Sequence, residues 1–232
     1  MGQAVKLCMH QNLVNYRTAM SYGYIQSYPL PTPSMVRGMV HALLELDHYE
    51  DLEISIQGSR KSVVTNIQKG YKFDRSEKKR ATGKPESWPT INEGNTVVIQ
   101  GLMFVDQLVS VDLILHVRFR DSILNERLIK TIWKNTVCLG RHEDIANVSS
   151  VKLVDCSHTE ISPQLKHEMY LPVSPDIHGP RYRLPFRYDI KPESQQRIFT
   201  HVDVVHVTPG ILADEEMIVD DDSDVVAFLG IN

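Results

Sequence analysis

The chain has 232 residues, 42% of them hydrophobic and 23% charged, with a formal net charge of −4. That composition supplies apolar material for one large or two small packed domains, and it excludes disorder, a collagen-like repeat or a coiled coil as a description of the whole. No apolar run approaches the ~18 residues of a membrane-spanning helix, and Met1-Gly2-Gln3-Ala4-Val5-Lys6 has neither the layout of a secretory signal nor that of a myristoylation site. Three widely spaced cysteines, Cys8, Cys138 and Cys156, fit neither a disulfide framework nor a zinc site. A cytoplasmic protein without membrane association is expected.

Val5 to Met9 reads as a strand, followed by a polar loop rich in tyrosine (Tyr16, Tyr22, Tyr24, Tyr28) that also carries Arg17. Pro29-Leu30-Pro31-Thr32-Pro33 breaks any helix, because each proline disfavours helical backbone in the residue before it. Ser34 is then the expected N-cap of a helix whose apolar face is Met35, Val36, Met39, Val40, Leu43 and Leu44, with Arg37, Gly38 and His41 opposite. Leu52 to Ile56 alternates as a strand, with a bulge or kink expected at Gly58. A second run, Ser62 to Ile67, leads into a polar insertion from about Lys69 to Asn95, too long for a mere connection.

Val97 to Val105 and Val109 to Phe119 read as a hairpin turning at Asp106-Gln107-Leu108. Ser122 is the expected cap of a second helix carrying Leu124, Leu128, Ile129, Ile132 and Trp133 and ending at Gly140. Val148 to Val154 is another strand. The order β-α-β-β-α-β predicts an α+β, ferredoxin-like fold of the kind RNA-recognition domains use. We place this domain at residues 1–155, with the insertion at about 69–96. Residues 156–232, punctuated by prolines and ending in an acidic tail, are expected to form a β-rich extension.

The net charge conceals an asymmetry. Asp214, Glu215, Glu216, Asp220, Asp221, Asp222 and Asp224 crowd the tail, and setting those seven aside leaves 25 basic against 22 acidic residues. Seven of the basic ones lie between Lys69 and Lys84, so a polyanion-binding surface is compatible with a mildly acidic whole. Lys69, Lys72, Arg75, Lys78, Lys79, Arg80 and Lys84 interleave with Tyr71, Phe73 and Trp88, joining charge for phosphates to rings for bases. The tip of the Ser34 helix, with Arg37 in its first turn, suits a phosphate, and Gly38 either admits an RNA backbone or base or simply packs on a strand. Arg181, Tyr182, Arg183, Arg187 and Tyr188 alternate cations and rings on an expected strand edge.

Catalytic signals are weaker. The ten histidines show no metal-ligand spacing, and no nucleotide-binding or nucleophile motif, and hence no cofactor, is indicated. Asp220-Asp221-Asp222 lacks the glycine and terminal glutamate of a calcium loop and reads as a solvated acidic turn. Lys166-His167 offers a possible acid–base pair for metal-free RNA cleavage, or an exposed loop dipeptide.

Tyr28-Pro29-Leu30-Pro31-Thr32-Pro33-Ser34-Met35-Val36-Arg37-Gly38-Met39-Val40 resembles the proline-rich turn and helix start of the Cas-five family, the RAMP-superfamily subunit of type I CRISPR Cascade surveillance complexes. Leu139-Gly140-Arg141-His142-Glu143-Asp144-Ile145 resembles that family's second signature, L-G-R-x-E-D. Asn15-Tyr16-Arg17 and Tyr182-Arg183-Leu184-Pro185 with Tyr188 also fit, and the overall style is most similar to the type I-B branch. The resemblance implies a RAMP domain with a β-hairpin thumb and a β-rich C-terminal part. It implies a non-catalytic subunit that caps the 5′ handle of the guide RNA, docks the first backbone subunit and the large subunit, and lies near the target DNA's flanking motif. Arg17, Ser34, Arg37, Gly38 and Arg141 map onto motif positions. Tyr22, Lys69, Lys72, Lys78, Lys79, Arg80, Lys84 and Trp88 join the candidate RNA-binding set on charge and aromatic character alone. The alternatives are a metal-independent endoribonuclease that processes the guide precursor and a protein-only scaffold docked through its acidic tail.

Overall fold

The computed structural model describes residues 2–19, 21, 23–74, 90–93, 96–159, 163–194, 196–210 and 217–230; side chains are described for all of these except 71–74, 90–93 and 96–100. Four strands form the centre: β1 (Gln3–Val14), β3 (Leu52–Ser59), β6 (Thr96–Phe119) and β8 (Ile145–His158), lying antiparallel in the order β3-β6-β1-β8. Helices α1 (Pro33–Leu43) and α2 (Ser122–Thr131) connect β1 to β3 and β6 to β8. This is the expected ferredoxin-like α+β core. Val5, Leu7, Ile54, Ile56, Leu113, Leu115 and Val117 face Val36, Met39, Val40, Leu43, Leu128 and Ile132 across its main apolar layer. Among the described residues no helix is long and apolar enough to cross a membrane.

Both helix caps differ from expectation by one or two residues. Thr32, not Ser34, caps α1, its Oγ1 accepting from the Met35 amide at 3.3 Å. Pro33 takes the first helical position, where its fixed φ and missing N–H do no harm, and the cap therefore falls on the residue before it. Asp121, not Ser122, caps α2 by accepting from the Ile123 amide at 2.9 Å. That helix ends at Thr131, well before Gly140. Gly140 (φ 109°) instead shapes a later turn that a side chain would strain.

The expected hairpin at Asp106-Gln107-Leu108 does not form; β6 runs unbroken through it. No glycine there supplies a turn, and the polar groups are answered across the sheet instead. Asp106 accepts from Thr65 Oγ1 and Tyr24 Oη, and Asn66 donates to Gln107. β6 consequently serves two partners on one edge, β3 along its second half and β4 (Ser62–Asp74) along its first. The insertion is thus a direct continuation of a core hairpin, joined also by β5 (Thr90–Glu93). Gly58 is no bulge either. It pairs in register with Leu113, and a Cβ there would lie 2.5 Å from the Asp112 carbonyl oxygen.

The C-terminal part extends both edges of this sheet. β9 (Glu168–Pro172), β11 (Arg197–Val207) and β10 (Arg181–Ile190) add in that order beyond β3, while β12 (Ile218–Asp220) and β13 (Val225–Val226) add beyond β8. Short strands β2 (Tyr24–Ile25) and β7 (Val137–Cys138) pair with β6 and β8. Residue 155 lies inside β8, so one hydrogen-bonded ladder spans the core and its extension. The tail then returns over the sheet face opposite the helices: Gln57 donates to the Val225 carbonyl, the Ala227 amide donates to Ser55 Oγ, and Leu229 bridges to Ile54.

Candidate nucleic-acid interface

Helix α1 is seated by the proline-rich turn before it. Tyr170 Oη donates to the Leu30 carbonyl at 3.0 Å and accepts from the Leu30 amide at 3.3 Å, fixing the chain where the prolines leave few other bonds. The Met35 and Val36 amides both return to the Thr32 carbonyl, so the helix tip presents fewer open donors than its sequence suggests. Arg37 is 5% exposed rather than displayed on an outer face. It donates to the Glu50 and Leu52 carbonyls, each at 3.0 Å, and its guanidinium carbon lies 4.8 Å from the Phe186 ring centroid and 5.0 Å from that of Tyr49. Its charge binds the loop before β3 to the helix. Gly38, by contrast, is exposed, and a Cβ on it would meet nothing within 4 Å. The packing role considered for it is therefore absent; the residue leaves open space on the helix.

The Leu139–Asp144 block is a tight turn closed from within. Asp144 accepts from the amides of Asn15 and Arg141 and from the Arg141 guanidinium at 2.9 and 3.1 Å, while Gln11 donates to the Leu139 and Asp144 carbonyls. These bonds weld the turn to the end of β1. Burial alone would lower the Arg141 pKa, but its bonds and proximity to Asp144 and Glu143 raise it, so the charge is held firmly. A further bond from Arg141 Nη1 to Gln68 Oε1, at 3.1 Å, ties the turn to β4 beside the exposed Lys69.

These pieces meet in one groove of about 720 Å³. Arg17, Ser34, Gly38 and Arg141, drawn from three separate sequence motifs, line one side, and Tyr188, Arg197, Phe199 and His201 of the β10–β11 hairpin line the other. Tyr188 stands opposite Phe199 in the ladder, with ring centroids 5.6 Å apart, and the Arg197 guanidinium covers Tyr188 at 4.6 Å. Arg17 is exposed and donates only to the nearby Ser21 carbonyl among its described bonds. Open cations beside exposed ring faces are the requirement for holding single-stranded nucleic acid. Lys69 is exposed on β4; Lys72 lies on β4 by its backbone alone. Tyr22, Lys78, Lys79, Arg80, Lys84 and Trp88 lie outside the described residues. The sequence reading had Tyr188 but missed Arg197, Phe199 and His201, whose alternation along β11 is a period-two signal. Tyr182 faces inward, edge-on to Tyr28 at 6.1 Å and to Tyr170 at 6.2 Å.

The acidic turn is only partly solvated: Asp221 and Asp222 are exposed, but the aspartates on either side of them are not. Asp220 is 4% and Asp224 8% exposed. Their carboxylates and that of Asp222 surround the Lys6 ammonium at 2.7, 2.6 and 2.7 Å respectively. Burial by itself lowers the Lys6 pKa and raises that of Asp220. The mutual bonds, with His116 on Asp220 at 2.9 Å, outweigh it and drive Lys6 up and Asp220 down. Three clustered aspartates would suit a metal ion, but here the cation among them is a lysine of β1. Lys166 pairs with Asp224 at 2.9 Å and Lys152 with Asp222 at 2.7 Å, so one half of the candidate acid–base dipeptide fastens the tail.

No curated protein matches the sequence. Among solved structures, the fold is similar to a chain of a CRISPR RNA-guided surveillance complex, with a TM-score of 0.54, 14% identity, and 90% of this chain and 91% of that one covered. A chain of the type III-B Cmr-beta complex bound to cognate target RNA and AMPPnP gives a TM-score of 0.47 at 12% identity, with 88% and 86% covered. A CRISPR protein from Archaeoglobus fulgidus gives 0.45 at 12% identity, with 100% of each chain covered. The sequence pattern of the family described as CRISPR-associated protein (Cas_Cas5) matches residues 5–215. Spanning the whole ferredoxin-like core, the insertion and most of the β-rich extension, that match establishes that the chain belongs to the CRISPR-associated Cas-five family.

Proposed function

We propose that this chain is the RNA-binding subunit of a type I, I-B-like, CRISPR surveillance complex, gripping the 5′ handle of the guide RNA without cutting it. The groove that brings Arg17, Ser34, Gly38 and Arg141 together beside Tyr188, Arg197 and Phe199 is the observation that carries this reading. Cations there would hold phosphates and the rings would stack bases, fixing one RNA end by shape and backbone while base pairing selects the DNA target. The thumb continues from the same place, because Arg141 reaches Gln68 at its base. Its cationic residues 69–84 extend the RNA path in this proposal.

The β4–β6 hairpin also supports a protein partner. Val63, Ile67, Leu102 and Phe104 are exposed on one of its faces, with Ile67 directly opposite Phe104. An apolar patch of this kind suits a protein neighbour, and we assign it to the first backbone subunit. The large subunit and the target DNA near its flanking motif would complete the set of partners. The engagement of Lys166 by Asp224 favours binding over RNA cleavage.

The test is co-expression with candidate neighbours, then crosslinking of bound RNA to individual residues. Crosslinks at Tyr188, Phe199 and the thumb, with the guide's 5′ end protected from exonuclease, are expected. If about five phosphates are held, log K falls with log salt at a slope of about −3 to −4. A salt-insensitive complex, or a 5′ end open to digestion in the assembled particle, would overturn the reading.

A further inference from the structure

Arg17 and Arg141 line the same groove but are engaged very differently. Arg17 is exposed, and among its described bonds it donates only to the Ser21 carbonyl. Every nitrogen of the Arg141 guanidinium, by contrast, has an acceptor within the chain. Nε and Nη2 form a fork on the two Asp144 oxygens at 3.1 and 2.9 Å, and Nη1 reaches both Gln68 Oε1 and Glu143 Oε1 at 3.1 Å. Of the donors a guanidinium carries, a single N–H on Nη2 is left over. Its charge is answered as well, because Asp144 and Glu143 set two carboxylates against one cation, and the side chain is only 18% exposed. A phosphate gripped by Arg141 would have to displace Gln68 or Glu143 and would approach two like charges.

What Arg141 does hold is the β4–β6 hairpin. Successive residues of a strand face opposite ways, so Gln68, paired with Met103, and Ile67, paired with Phe104, lie on different faces of that hairpin. The Gln68 face is turned to Arg141, while Ile67 and Phe104 belong to the exposed apolar face. Among the described residues, no side chain of β4 beyond Gln68 bonds to the rest of the chain. Two residues further on, Gly70 stands opposite Gly101 in the ladder, a pair with no side chains of its own to brace the strands. Arg141 therefore grips the hairpin just short of its least braced point.

We infer that Arg141 is a positioning residue: it fixes the direction in which the β4–β6 hairpin leaves the core and takes no phosphate itself. Of the two arginines, the phosphate contact belongs to Arg17. Through the bond to Gln68, Arg141 sets the course of an RNA strand from the groove towards Lys69. For the strand's course the inference rests on the RNA-binding reading and deepens it; the grip on the hairpin is a property of the free chain.

The test compares, in the full chain, Gln68→Leu, which removes the acceptor at similar size, with Gln68→Glu, which keeps one. Hydrogen exchange read by mass spectrometry should show the amides of residues 62–70 and 101–109 exchanging about tenfold faster in Gln68→Leu, the worth of one hydrogen bond to a charged group. Those of β1 and β3 should not change, and Gln68→Glu should restore the protection. Titrations with single-stranded RNA at several salt concentrations then separate the arginines. Arg141→Gln should weaken binding by one factor at every salt concentration, whereas Arg17→Ala should lower the slope of log K against log salt by about 0.7. Gln68→Leu leaves the Asp144 fork intact and should weaken RNA in the same salt-independent way, so the result does not hang on the folding of Arg141→Gln. Unchanged exchange in Gln68→Leu would overturn the grip, and a slope lowered by about 0.7 in Arg141→Gln would make the residue a phosphate contact. Either result leaves RNA binding standing. Faster exchange in Gln68→Leu with unaltered RNA affinity would overturn the strand's course. Absence of salt-sensitive RNA binding by the unaltered chain would remove the RNA-binding reading and leave the grip to stand or fall on the exchange data.

Discussion

Lys6, in the middle of β1, and Arg17, just beyond its end, meet opposite surroundings. Lys6 points to the polar sheet face, the surface that RNA-recognition domains of this topology offer to nucleic acid. Here that face is closed by the chain's own tail, and Asp220, Asp222 and Asp224 take the positions phosphates would occupy around the ammonium. Arg17 lies at the rim of the groove by α1 with no ion-paired carboxylate among the described residues. Two cations close in sequence are thus divided between holding the fold together and facing outward. The difference teaches that a basic side chain identifies an RNA surface only after its intramolecular partners are known.

The comparison breaks most sharply at Lys6. Lys6→Met leaves a cluster of carboxylates without its central cation and should cost about 3–5 kcal/mol, measured by urea unfolding. A neutral result would mean that the tail is held by its apolar contacts alone. Acid probes the same contact. Asp220, Asp222 and Asp224 have folded pKa values below their ordinary 3.8, so the stability they contribute is complete well above that value and is lost as pH falls below about 4. Circular dichroism across pH 2–6 should show this loss, and Lys6→Met should shrink it.

The groove should respond in binding rather than in stability. Tyr188→Ala and Phe199→Ala should each weaken single-stranded RNA by about 1–3 kcal/mol in anisotropy titrations, the worth of one stacked base, with little change in melting temperature because both rings are exposed. Arg17→Ala should reduce the slope of log K against log salt by about 0.7, the share of one phosphate on a single strand. Gly38→Ala sharpens the contrast from the other side. A Cβ there meets nothing, so the helix should gain about 1 kcal/mol and the melting temperature rise by about 2–4 °C. A loss of stability would show that the glycine serves packing after all.

Much of the core was legible because it rests on local signals. The 3.6-residue spacing of Val36, Met39, Val40 and Leu43 marks α1, and alternation marks β3. The caps slipped because Thr32 and Asp121 compete with neighbouring serines, and in α1 the place of Pro33 decides the matter. The false hairpin in β6 arose because Asp106 and Gln107 look like turn residues until Thr65, Tyr24 and Asn66 are seen beside them. In the groove, Arg17, Ser34, Gly38 and Arg141 were chosen from motifs and do converge, but Arg37 is turned inward to hold carbonyls. Arg197, Phe199 and His201 lie at the exposed end of β11, and only its pairing with β10 brings them to the groove.

By itself the sequence determined the helices, most of the strands and their β-α-β-β-α-β order, because capping, periodicity and turn chemistry act within a few residues. Only the tertiary structure decided which charges are spent and which are open. Neutralisation depends on distance in space, and the carboxylates that claim Lys6 come from the other end of the chain, Asp222 lying 216 residues away. For the same reason a groove built from β1's end, α1, the Leu139–Asp144 turn and the β10–β11 hairpin exists only once the extension has joined the sheet.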